Sequence, residues 1–159
     1  MTKLYLGAGK DRKEGFIHAD IYPFEGIDDV FDATETWPYK DNTFTLIFSQ
    51  DFLEHIDPLK KVFVINEIWR VLMLGGRMEH YVPNAGSRND FGSPSHLSHW
   101  SLQQFEHFDI DSYRYLKDSD YEGTNAKFKK ILAEKVNWQR EDGGINLAQS
   151  IHVIYEKVN

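Results

Sequence analysis

Four short apolar runs lie within the first fifty residues: KLYLG from Lys3, GFIHAD from Gly15, DDVFDA from Asp28 and FTLIFSQ from Phe44. Each is rich in Ile, Val, Phe or Tyr and is bounded by turn residues, as expected of strands buried on both faces of a parallel sheet. Parallel neighbours need a crossover of a dozen or more residues, most often a helix. After the Gly-Ala-Gly that ends the first run, KDRKEG can make little more than one helical turn before the second. The chain is therefore expected to be an α/β sheet whose first crossover is shortened or replaced by a loop.

The fourth run leads into DPLKKVFVINEIWRVLMLGG. There Asp57 can cap a helix, Pro58 suits its first position, and Gly75 suits the left-handed position past its end. Leu59, Val62, Ile65, Trp69 and Leu72 share one side at helical spacing. RMEHYVPN reads as a fifth strand stopped by Pro83 and Asn84. A loop rich in Gly, Ser and Asn spans 85–99, and Ser101 with Gln104 has the spacing of a capping box. Two readings stay open over 124–138. Phe128, Ile131, Leu132 and Val136 recur at helical spacing, yet SIHVIYEKV alternates like a strand, with Gly143 and Gly144 between the segments.

With 159 residues, 41% hydrophobic and 14% aromatic, the chain has the size and composition of one globular domain over 1–159. A net charge of −7 disfavours a nucleic-acid partner. The absence of cysteine excludes disulfides and thiolate metal sites. Neither a signal-peptide pattern nor an apolar run of spanning length is present, so a soluble, cytoplasmic protein with no membrane partner is expected. Oligomeric state has no signature in the sequence.

LGAGK after the first strand, Asp20 ending the second run, Asp32 in the third, DNTFTLIFSQDFLEHI, and INEIWRVLMLGGRMEHYVPN occur in an order that resembles the class I S-adenosylmethionine-dependent methyltransferases. The branch it resembles is the small, type 11-like domain with LEH after strand four. The resemblance covers roughly Lys3 to Phe105. It implies a Rossmann-like, doubly wound, mostly parallel sheet with an antiparallel last strand, and S-adenosyl-L-methionine as cofactor at the carboxyl ends of the strands. It assigns Leu6, Gly7, Ala8 and Gly9 to the loop beside the methionine part of the cofactor. Asp20, followed by Ile21, becomes the acid that accepts the ribose hydroxyls. Asp32, Ala33 and Thr34 border the adenine, while Ser49, Gln50, Asp51 and Phe52 line the methionine and the methyl group. With Asp20 only 13 residues beyond Gly7, the loop departs from the dinucleotide pattern, whose acid stands about 20 residues on. A cofactor without phosphate loses little when the crossover helix is missing.

Methyl transfer needs chiefly alignment of nucleophile, methyl carbon and sulfur. His55, in LEH, is the candidate for a general base or an acceptor contact, with helix capping as the alternative. His96, His99 and Trp100 fall in a loop expected to act as a lid over a small-molecule acceptor. Together with His55 and His80 these histidines raise a metal site, but no acid or cysteine completes a recognisable one, and no metal is expected. The expected activity is methyl transfer to a small acceptor. A cofactor-binding but inactive interaction module is the alternative, and a nicotinamide-dependent oxidoreductase a weaker one.

Overall fold

The computed structural model describes residues 2–139 and 145–159. Seven strands form one sheet: β1 (Lys3–Leu6), β2 (Ile17–Asp20), β3 (Asp29–Val30), β4 (Phe44–Gln50), β5 (Leu72–Pro83), β6 (Phe128–Gln139) and β7 (Ile145–Lys157), in the order β3-β2-β1-β4-β5-β7-β6. The pairs from β3 through β5 are parallel, and β7 runs antiparallel between β5 and β6. This is the expected α/β methyltransferase sheet with its antiparallel last strand. Gly143 and Gly144, which stand between the last two segments in the sequence, lie outside the described residues.

The first crossover contains no helix: residues 7–16 pass as turns and loop from β1 to β2. Helix α1 (Lys61–Val71) links β4 to β5, while the short α2 (Leu102–Phe105) and α3 (Tyr113–Glu122) precede β6. Ser101 and Gln104 close the expected capping box, each side chain bonded to the other's backbone N–H. The sequence reading missed α3, although Ser112 caps it by accepting from Arg114 and Gly123 ends it at φ 67°. Its Tyr113 and Leu116 are exposed, so no apolar stripe announces it.

The expected apolar face of α1 is corrected. Leu59 is 93% exposed, and the buried face is Val64, Ile65, Ile68 and Val71. Pro58–Lys60 form a 3₁₀ turn capped by Asp57, so the α-helical phase begins only at Lys61. Gly75 does not end the helix either. It lies inside β5 at φ 74°, after a helix that stops at Val71. The segment 128–139 is a strand. A bulge between Lys130 and Leu132 adds one residue to the alternation, which gives a strand helical-looking spacing.

Strand alternation divides the packing. Leu4, Leu6, Ile47, Met78, Val82, Ile151, Val153 and Tyr155 join the buried face of α1, Trp100, Phe105 and Phe108 in the main core. On the other face Tyr5, Ala8 and Phe48, flanked by Phe16, Ile27 and Tyr81, form a smaller cluster with no helical residue in it. Glu67 on α1 fastens the β3–β4 connection: its carboxylate accepts from Trp37 N–H at 2.9 Å and from Arg70, which also reaches Asp41. Burial raises the Glu67 carboxyl, but these bonds outweigh it and hold the group below the usual range.

Candidate functional site

The carboxyl ends of β1, β2 and β4 open into one cleft of about 670 Å³, within the size range of small-molecule pockets. Its walls bring together Leu6, Gly7, Gly9, Asp20, Ile21, Asp32, Ala33, Thr34, Asp51, Phe52 and His55. A further cleft of about 550 Å³, lined by Glu106, Asp109 and Arg114 among others, contains none of the residues singled out from the sequence.

The two glycines of the first loop do different work. Gly7 sits at φ 66°, and a Cβ there would fall 2.2 Å from Cδ2 of Phe52, so the space it leaves is filled by that ring. Gly9 sits at φ 54° with open space beside it, and its N–H donates to Asp20 Oδ2 at 2.8 Å. The other carboxylate oxygen of Asp20 accepts from Tyr22 N–H at 2.9 Å. Asp20 thus fixes the glycine loop to the end of β2, and each oxygen keeps a second lone pair for a ligand. Asp32 is held by Thr34, whose N–H and Oγ1 both donate to Oδ1.

Asp51, directly after β4, sits at φ 50°, a left-handed conformation that side chains rarely adopt, and its N–H donates to the carbonyl of Tyr81. Phe52 follows, and then a 3₁₀ turn over Leu53–His55. The loop 85–99 is tied to that turn. Leu97 and Ser98 N–H donate to the Glu54 carbonyl, Ser98 Oγ and Trp100 Nε1 donate to that of Leu53, and His55 Nδ1 bonds the carbonyl of Ser95 at 2.9 Å. Ser95 and Leu97 complete the cleft wall.

Other expected residues stand elsewhere. Ala8 is buried in the small cluster on the opposite face of the sheet. Ser49 is buried and bonded through Oγ to His80 Nδ1 at 2.7 Å, and neither Ser49 nor Gln50 lines the cleft. Burial pushes His80 down to about 3, so its ring is neutral. Trp100, expected at a lid, is 1% exposed and packs on Phe105 in the main core. Its indole, the largest fully buried side chain described, gains more from that core than from solvent. His99 is bonded to the buried Asp90 at 2.9 Å and His96 Nδ1 to the Asp90 carbonyl at 3.1 Å. Neither lines the cleft, though His96 lies against His55, ring centroids 5.1 Å apart.

Sequence reasoning did not single out Tyr22, Phe24, Phe31 or Ile56, which give the cleft its apolar walls. The run DIYPFEG held the signal, since two aromatics directly after a strand-ending acid have no sheet to pack into. Glu54, in LEH, was given no role in the site. Its side chain is 1% exposed, and burial, helped by Asp51 and Asp90, pushes its carboxyl up to about 8.

Residues 12–79 match the family described as methyltransferase domain. No curated protein matches the chain. Solved structures with similar folds include an S-adenosylmethionine-dependent methyltransferase from Methanosarcina mazei, 14% identical over 99% of this chain and 92% of that one, with a TM-score of 0.64. A second, from Archaeoglobus fulgidus, is 16% identical over 98% of this chain and 86% of that one, TM-score 0.63. The 1,6-didemethyltoxoflavin-N1-methyltransferase of Burkholderia thailandensis, solved with 1,6-didemethyltoxoflavin and S-adenosylhomocysteine, is 14% identical over 99% of this chain and 71% of that one, TM-score 0.64.

Proposed function

From a chain whose residues 12–79 match the methyltransferase-domain family and whose sheet has the class I methyltransferase fold, we propose an enzyme that transfers the methyl group of S-adenosyl-L-methionine to a small-molecule acceptor. The observation that carries this reading is the convergence of the glycine loop, Asp20, Asp32 and the Asp51–Phe52 corner on one cleft. In this reading the free lone pairs of Asp20 accept the ribose hydroxyls. Ile21, Tyr22 and Phe31 offer apolar surface to the adenine beside Asp32 and Ala33. Gly7, Gly9 and Phe52 face the methionine part, where backbone can approach closely.

The acceptor enters beside His55, Ser95 and Leu97. A lone pair of the acceptor attacks the methyl carbon, the carbon–sulfur bond breaks toward sulfur, and S-adenosylhomocysteine leaves. The proton lost by the acceptor passes to a base or to water. His55 suits that role: with Nδ1–H donated to the Ser95 carbonyl, the other nitrogen of the neutral ring carries a lone pair. The B. thailandensis 1,6-didemethyltoxoflavin-N1-methyltransferase, solved with 1,6-didemethyltoxoflavin bound, supports the small-molecule class.

Calorimetry with S-adenosylhomocysteine tests the assignment. Binding is expected, weakened about tenfold or more in Asp20→Ala, as loss of hydrogen bonds from a charged group implies. Wild-type protein that shows neither heat nor a thermal shift overturns the reading. Binding without production of S-adenosylhomocysteine across a panel of small acceptors favours a cofactor-binding module instead.

A further inference from the structure

Among the described residues, neither of the two buried carboxylate oxygens of Glu54 has a hydrogen-bond partner. Buried polar atoms are nearly always satisfied, so an orphaned carboxylate asks for a missing occupant. His96 Nε2 lies 3.9 Å from Oε1, too far for a hydrogen bond and near enough for an ion between them. One carboxylate oxygen of Glu54 and one ring nitrogen each of His55 and His96 lie within 4.8 Å of one another.

The ring orientations add to this. His55 Nδ1 is bonded to the Ser95 carbonyl and His96 Nδ1 to the Asp90 carbonyl, so each Nδ1 carries the proton and each Nε2 the lone pair. Metal-bound histidines are oriented in this way, by donating the second ring N–H to a carbonyl or carboxylate. The loop that brings His96 is itself fixed, because Asp90 is buried and accepts from Gly86 N–H, while Leu97 and Ser98 are bonded to the Glu54 carbonyl.

We propose that Glu54, His55 and His96 form a site for a divalent transition cation of the zinc class, at the lid side of the cleft. Two imidazoles and one carboxylate suit zinc, and three protein ligands leave a position open. Zinc bound at about 2.0–2.1 Å sets tetrahedral ligand atoms roughly 3.3 Å apart, so the three groups close by about 1 Å around it. A sequence scan for spaced histidines misses the site because its acid is adjacent to one histidine and 42 residues from the other. His55 lines the cleft, so the open position faces the acceptor end. With a cation bound, His55 serves as a ligand instead of a proton acceptor, and an acceptor oxygen or nitrogen that coordinates the cation loses its proton more readily. Only this last consequence rests on the methyltransferase reading; the cation site does not.

The full chain, stripped with EDTA and desalted, is titrated with Zn(II) against a chromophoric chelator and separately with Co(II). One equivalent of Zn(II) and the visible absorption of tetrahedral Co(II) are expected. Glu54→Gln and His96→Ala should each lose about tenfold or more in affinity, and His107→Ala, outside the cluster, should keep the wild-type value. Zinc affinity unchanged in both ligand variants, or no binding at about 100 µM, overturns the site. Melting curves in EDTA show which variants fold, and either variant alone suffices. S-adenosylhomocysteine titrations on the stripped protein report on the cleft separately, so failure of one assignment does not hide in the other.

Discussion

The two faces of the sheet are covered in different ways. On one, aliphatic side chains meet a helix: Ile47, Met78 and Val153 pack with Val64, Ile65 and Ile68 of α1. On the other, rings meet a loop. Tyr5 and Phe48 stack edge-to-face 5.0 Å apart, Phe16 from the first crossover lies against both, and the ammonium of Lys13 sits 4.4 Å from the Phe48 centroid. Further along this face Tyr81 stacks flat on His152 at 4.0 Å. A loop of about ten residues cannot present a continuous ridge of methyl groups. A few large rings capped by cations cover more sheet per residue and tolerate water at their edges. The missing crossover helix is thus compensated by residue type and not by added chain.

Three substitutions probe this contrast. Ile68→Ala, on the fully buried helix face, should cost about 3–4 kcal/mol in urea melts. A loss below about 1 kcal/mol would mean the helix-covered face is not the main source of stability. Glu54→Gln tests how that side of the molecule bears charge. The fold raises its carboxyl from an ordinary 4.5 to about 8, so the native chain binds the proton more tightly than the unfolded one. The stability this brings is complete below pH 4.5 and is lost as pH rises toward 8. In EDTA, Glu54→Gln should therefore gain about 2–3 kcal/mol relative to wild type between pH 5 and pH 8. A flat difference would show that the carboxyl is not held neutral. Phe16→Ala, on the loop-covered face, should cost only about 1–2 kcal/mol, because its ring is partly solvated. A cost equal to that of Ile68→Ala would erase the distinction between the faces.

What was legible in the sequence follows the same division. Gly7, Gly9, Asp20 and Asp32, which the family resemblance singled out, lie together at the cleft, and glycine's left-handed freedom and a strand-ending carboxylate are features that residue type announces. Phe31 could not be found, since an aromatic in a short run reads equally well as core, whereas Tyr22 and Phe24 were overlooked although their place directly after a strand-ending acid held a signal. Trp100 was placed at the lid because it follows a histidine-rich loop, yet its burial is decided by Phe105 and Leu53, contacts that only the tertiary fold supplies. The phase of α1 and the strand over 128–139 were obscured by single-residue irregularities, a 3₁₀ turn and a bulge. Periodicity assumes regular geometry and fails where one residue breaks it.

The sheet order has a consequence in time. Among the described strands β6 pairs with β7 alone, and β7 is made after it and must slide in antiparallel beside β5. As the polypeptide emerges from the ribosome, β5 keeps an open edge until residues beyond 145 arrive. Every partner of β7 on β5 is at least 67 positions earlier in the chain, so closing that edge is a slow, non-local step. Until then the nascent chain exposes an apolar strand to its neighbours, and it is at this stage of synthesis that a chaperone has most to protect.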